Sequence, residues 1–203
     1  MAGDLAGAVV VGEPDDSAAD AARIDTVMMV GDSITVGATP ALEAQFDALG
    51  LDHEIAAERG KRMVVSSSGN SGGASVTEFM VGADEGDPTS QVWVVALGTN
   101  DIGQYSSPDE IAAAVNVVLA EVPDDAALVW VDTYIRDRVE QSEEVNRIIR
   151  DRVARRGNSV VAPWSSNAVA DGVLSGDGVH PTTDGSVWFA HVVTDTVRAF
   201  LGR

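Results

Sequence analysis

The 203-residue chain has no cysteine and a single lysine, Lys61. The first absence excludes disulfides, thiolate metal sites and a cysteine nucleophile. The second belongs to a wider shortage of positive charge, since 13 basic residues stand against 32 acidic ones and the formal net charge is −19. Such a chain repels nucleic acid and anionic membranes, so neither is expected as a partner. A lysine-poor acidic surface also suits high salt, where screening suppresses self-repulsion. Long apolar runs are missing as well. The stretch Ala8–Val11 is too short for a signal peptide or a membrane span, and residues 1–22 read as a mobile acidic lead-in to one domain over residues 23–203.

Two nucleotide fingerprints are also missing. Gly31–Gly37 joins an apolar run to a helical pattern, yet the chain has no Gly-x-x-x-x-Gly-Lys-Ser/Thr and no Gly-x-Gly-x-x-Gly, which argues against a phosphate-binding loop. Nor is there a Gly-x-Ser-x-Gly nucleophile elbow, because Thr35 stands where its second glycine belongs.

What is present is a set of short apolar runs alternating with helical patterns. Ile24–Val30, His53–Ala57, Val92–Leu97, Leu128–Val131 and Val160–Ala162 read as strands. Leu42, Phe46 and Leu49 recur at helical spacing, with Pro40 read as the first turn. Ser107-Pro108-Asp109-Glu110 is a capping box that opens a second helix, Ser142–Arg156 a third, and Thr183–Leu201 a last one. Ser66–Ser75 reads as an irregular loop, and about 20 residues after the fifth strand read as another. Buried strands alternating with helices imply a three-layer α/β/α domain around a five-stranded parallel sheet. Right-handed crossovers then put the loops after strands one, two, three and five along one edge. Those loops carry Ser33, Gly60, Asn100 and His180.

Together these residues offer the parts of an acyl-transfer site. Ser33, at a strand end, needs a base within hydrogen-bond reach. Of three histidines, His53 falls on a strand and His191 inside the last helix, which leaves His180. Asp177, three residues before it, is placed to hold the far imidazole nitrogen. The Ser33 and Gly60 backbone N–H groups and the Asn100 amide are candidate oxyanion donors. Arg59, Lys61 and Arg62 form a basic cluster next to this site and are candidates for meeting an anionic part of a substrate, while Trp164 is a candidate pocket wall.

Gly31-Asp32-Ser33, Gly60, Gly98-Thr99-Asn100-Asp101 and Asp177-Gly178-Val179-His180-Pro181 resemble, in order, the four blocks of the SGNH or GDSL hydrolases. The resemblance spans about Ile24–Leu201. It implies a flavodoxin-like fold, a Ser33–His180–Asp177 triad, an oxyanion hole from Ser33, Gly60 and Asn100, and ester hydrolysis with neither metal nor organic cofactor. The motif dress is most similar to carbohydrate acetylesterases and to the extracellular domains of peptidoglycan O-acetyltransferases. The implied substrate is a small-molecule or carbohydrate ester. Two alternatives stand beside hydrolysis: transfer of the acyl group to a carbohydrate hydroxyl, and a binding module of the same fold.

Overall fold

The computed structural model describes residues 24–64, 71–82 and 88–203. The acidic lead-in expected over residues 1–22 lies outside them, as does the part of the expected Ser66–Ser75 loop before Ser71. Five parallel strands, β1 (Thr26–Gly31), β2 (Asp52–Ala57), β3 (Gln91–Ala96), β4 (Ala127–Val131) and β5 (Ser159–Ala162), pair in the order β2-β1-β3-β4-β5. Apart from the edge strand β2, which carries Asp52, His53 and Glu54, the strands are nearly uninterrupted apolar runs because both faces of the sheet are covered. Side chains alternate between two cores. Val27, Met29, Val94 and Val129 face one core, and Met28, Val30, Trp93, Val95 and Trp130 face the other.

The first core is roofed by helix α1 (Ser33–Leu49) and the last helix, α6 (Thr183–Phe200), which pack on each other. The second lies under α2 (Gly72–Gly82), α3 (Pro108–Glu121) and α4 (Val139–Arg156). A one-turn helix, α5 (Trp164–Ala168), interrupts the loop after β5. The caps follow the side chains. Ser107 Oγ accepts the Glu110 N–H, the Glu110 carboxylate accepts the Ser106 N–H, and Thr182 accepts from Gly185 to open α6. No helix among the described residues is long and apolar enough to cross a membrane.

Three elements differ from expectation. Helix α1 starts at Ser33, about two turns before Pro40, because Asp32 is its N-cap and accepts the Ile34 N–H at 2.9 Å. Pro40 sits on the exposed side of α1, where the hydrogen bond it forfeits faces solvent. Helix α2 begins inside the Ser/Gly stretch, where Gly72 and Gly73 are buried; a Cβ on Gly72 would lie 2.2 Å from Leu97 Cδ1. Helix α4 begins at Val139, three residues before the expected start at Ser142.

Gly185 marks the tightest contact between α6 and the loop before it. A Cβ there would stand 2.0 Å from the Val173 carbonyl oxygen, a main-chain atom also held by the Thr182 N–H. Gly37, in the second turn of α1, has only ordinary contact with Ser186 at 3.9 Å. Urea unfolding will therefore separate the two: Gly185→Ala loses about 3 kcal/mol, whereas Gly37→Ala gains roughly 0.5–1 kcal/mol by helix propensity.

Candidate active site

The sheet order reverses between β1 and β3, and the crevice opened at such a point is where open α/β sheets take ligands. Asp32 and Ser33 leave β1 there, and Gly98–Asp101 leaves β3. Ser33 is the first residue of α1. Its N–H belongs to the set with no partner inside the helix, at the positive end of the helix dipole.

Ser33 Oγ lies 2.9 Å from His180 Nε2, and His180 Nδ1 lies 2.7 Å from Asp177 Oδ2. The carboxylate accepts at Nδ1, so the neutral ring carries its proton there and Nε2 is left to accept from the serine. Asp177 is fixed in turn. Its Oδ1 accepts the Ser175 hydroxyl at 2.8 Å and the Val179 and His180 N–H groups at 2.9 Å each. The His180 bond first, and these three after it, hold the Asp177 carboxyl well below the usual carboxylate range. Both side chains are open to solvent, 44% exposed for His180 and 50% for Asp177.

Opposite them, Gly60 adopts φ +74°, which the turn Glu58–Lys61 requires and a side chain would resist. The Asn100 amide nitrogen donates to the Lys61 carbonyl at 3.1 Å and to Asp32 Oδ2 at 3.3 Å. Two acceptors facing one nitrogen fix which end of the amide points inward. Ser33, Gly60, Asn100, Asp177 and His180 thus lie in the loops at one sheet edge, and the hydrogen bonds tie them into two linked groups.

Three other expected site residues are buried or paired. Lys61 is 4% exposed and its ammonium donates to Ser75 Oγ at 2.6 Å; burial lowers its pKa against the opposing pull of Glu58 and Glu78. Arg62 bonds Asp101 at 3.3 Å and lies over the Tyr105 ring. Of the basic trio only Arg59 has an exposed side chain, so the cluster does not face a substrate as three free cations. Trp164 is 1% exposed, packs edge-on against Phe189 and with it lines a water-sized cavity next to Asp32.

Sequence reasoning missed three buried carboxyls. Asp32 joins the nucleophile turn to Asn100, and burial pushes its pKa up to about 7 against the Ile34 N–H and the nearby His180. Asp101, fully buried, accepts from Met63 N–H, Arg62 and the Tyr105 hydroxyl, tying the β3 loop to the segment after Gly60. Asp132, just past β4, accepts the Ser165 N–H at 2.6 Å and hydroxyl at 2.7 Å. Burial raises the pKa of Asp101 and of Asp132 too. The signal in the sequence was their position, each within five residues of a strand end.

The chain is similar to several solved structures. One is the C-terminal catalytic domain of peptidoglycan O-acetyltransferase A from Streptococcus pneumoniae, 18% identical over 88% of this chain and 93% of that one, TM-score 0.61. Another is a member of the lipolytic protein G-D-S-L family from Veillonella parvula, 19% identical over 84% and 96%, TM-score 0.61. A third is a family two carbohydrate esterase from Clostridium thermocellum, 17% identical over 87% of this chain but 64% of that one, TM-score 0.62. At these identities the likeness establishes a shared fold. No curated protein matches the chain in sequence. Residues 29–187, from within β1 into the last helix, match one family, and the chain belongs to it: the GDSL-like lipase/acylhydrolase family.

Proposed function

We propose that the chain is a serine ester hydrolase acting on short-chain acyl esters, with Ser33 as nucleophile, His180 as base and Asp177 orienting His180. The observation that carries this reading is the unbroken chain of hydrogen bonds from Ser33 through His180 to Asp177, at 2.9 and 2.7 Å. As Ser33 Oγ attacks the ester carbonyl, its proton passes to His180 Nε2, and the imidazolium is stabilised by a carboxylate that stays ionised. The carbonyl oxygen becomes an oxyanion facing the Ser33 and Gly60 N–H groups and the Asn100 amide. For Asn100 to donate to it, one resting bond must lengthen, and the 3.3 Å bond to Asp32 is the longer of the two. Collapse breaks the bond to the alkoxy oxygen, which leaves as the alcohol with the proton from His180. Water, deprotonated by the same imidazole, then attacks the acyl-serine and releases the carboxylic acid.

The solved relatives include a carbohydrate esterase and an O-acetyltransferase. They support a carbohydrate-borne acetyl ester as substrate, and they favour transfer to a sugar hydroxyl as the second reading, since both outcomes share the acyl-serine.

Fluorophosphonate labelling followed by peptide mass spectrometry will place the adduct on Ser33, and His180→Ala will nearly abolish it; an unlabelled folded protein, or an adduct on another serine, overturns the assignment. With a chromogenic acetate, Asp177→Asn will lower kcat by roughly 10³–10⁴-fold; an unchanged kcat contradicts Asp177 as the group that orients His180.

Asp32→Asn separates stability from activity. The substituted side chain keeps an oxygen for the Ile34 N–H but turns a donor toward the Asn100 amide, so kcat drops about tenfold or more with little change in KM. A carboxyl whose folded pKa is raised keeps its proton in the folded state while the unfolded chain releases it. Stability therefore falls as pH rises from about 4 to about 7, by up to about 1.4 kcal/mol per pH unit. Thermal unfolding across that window will show the decline for the wild type relative to the variant; parallel curves would refute it.

A further inference from the structure

In a chain with 32 acidic and 13 basic residues, a cation without a carboxylate partner is unexpected. Arg62, Arg150, Arg152, Arg155 and Arg198 all have one. Arg156 instead covers the carbonyls of Pro123, Asp124 and Ala126. Several exposed arginines, Arg59, Arg136, Arg138 and Arg147 among them, have no carboxylate oxygen within 4.0 Å among the described residues. Of these, Arg136 and Arg138 sit in the turn after β4, with Asp137 between them. Each guanidinium has one long bond to a carbonyl, Arg136 to Leu174 at 3.4 Å and Arg138 to Ile102 at 3.3 Å. With five N–H donors in a fork, each keeps most of its capacity.

Their placement is what makes them informative. The Arg136 N–H donates to the Gly178 carbonyl at 2.9 Å, and Gly178 lies between Asp177 and His180. The approach is so close that a Cβ on Gly178 would stand 2.8 Å from Arg136 Cβ. Arg138 reaches Ile102, two residues past Asn100. One arginine thus leans on the loop of the base and the other on the loop of the amide donor, at the same sheet edge as Ser33.

We infer that Arg136 and Arg138 form an anion subsite beside Ser33, which selects acyl esters whose alcohol portion carries an anionic group, an acidic saccharide foremost. The inference rests on the ester-hydrolase reading. Guanidinium forks match carboxylate and phosphate geometry, so either anion could supply the group. The chain's overall charge repels anions at a distance. Screening confines that repulsion to about 8–10 Å, and within it two uncommitted cations decide whether an anion docks.

The test compares three acetyl esters: of a methyl glucuronoside, of a methyl glucoside 6-phosphate, and of neutral methyl glucoside. Wild type should prefer one or both anionic esters over the neutral one, and the better anion identifies the source. In Arg136→Gln and Arg138→Gln the anionic-to-neutral ratio of kcat/KM should fall at least tenfold, chiefly through KM, and Arg138→Lys should recover part of it. A wild-type ratio near one, or variants that lose all three activities in parallel, overturns the subsite. Calorimetric titration of Ser33→Ala with methyl glucuronoside and methyl glucoside 6-phosphate reads the subsite without turnover. Binding of either, weakened at least tenfold by Arg138→Gln, supports it even if no ester is hydrolysed; no binding of either refutes it.

Discussion

The Asp32 carboxyl holds the site together. One oxygen caps α1 through the Ile34 N–H, which sets where Ser33 stands, and the other accepts the Asn100 amide from the loop after β3. Two loops that are 68 residues apart in sequence are thereby fixed on one small group. The carboxyl reaches both only because it is buried, and burial of a charge is costly unless hydrogen bonds offset it. Its pKa of about 7 is the mark of that incomplete offset. Asp101 repeats the arrangement one loop further on, joining the β3 loop to the segment after Gly60 through Met63 and Arg62. Buried carboxyls at strand ends act as the joints of this edge.

The Asp177–His180 side of the site is built in the opposite way. Asp177 and His180 are half exposed, three residues apart, and are ordered by a local turn rather than by the core. The turn is anchored at Thr182, whose N–H and hydroxyl both reach the backbone at Gly172 and Val173. A carboxylate ordered by three donors keeps its charge in water, where a buried one would not. The proposed base therefore sits on a half-exposed surface loop, while the proposed oxyanion donors are held by the buried carboxyls.

Much of this was legible from the sequence. β3 and β4 announce themselves as continuous apolar runs, and the alternation of strands and helices dictates the three layers and the shared edge. The Ser33, Gly60 and Asn100 blocks were legible as turn signals next to strand ends, and the Asp177–His180 block as part of the long loop after the fifth strand. The direction of individual side chains was not. Lys61 and Arg62 read as candidates for meeting an anionic substrate because sequence gives charge but not whether a buried Ser75 or Asp101 waits for it. Helix α1 was started too late because Pro40 is a strong start signal and Asp32 was read only as part of the nucleophile loop. Helix α2 was hidden by glycines that look like loop residues until Leu97 is packed against one of them. Arg136 and Arg138 stand among seven arginines between residues 136 and 156, and what singles these two out is their contact with Gly178 and Ile102, in the loops of His180 and Asn100.

The same two arginines bear on whether the acyl-serine meets water or a sugar. In the proposed mechanism the half-exposed His180 and Asp177 leave the acyl-serine open to water, and hydrolysis follows unless another hydroxyl is held in its path. Holding one is a powerful advantage, since well-oriented intramolecular reactions reach effective molarities of about 10⁵ M or more. The gain depends on orientation, however, not on affinity alone. An anionic group fixed by forked guanidinium contacts orients the saccharide that carries it, whereas attraction to a diffuse positive surface does not. A subsite at Arg136 and Arg138 would thus do more than choose the ester to be cleaved. It would also set the balance between hydrolysis and transfer, because an acidic saccharide that binds there after the first alcohol has left is presented to the acyl-serine in the orientation of the departed one.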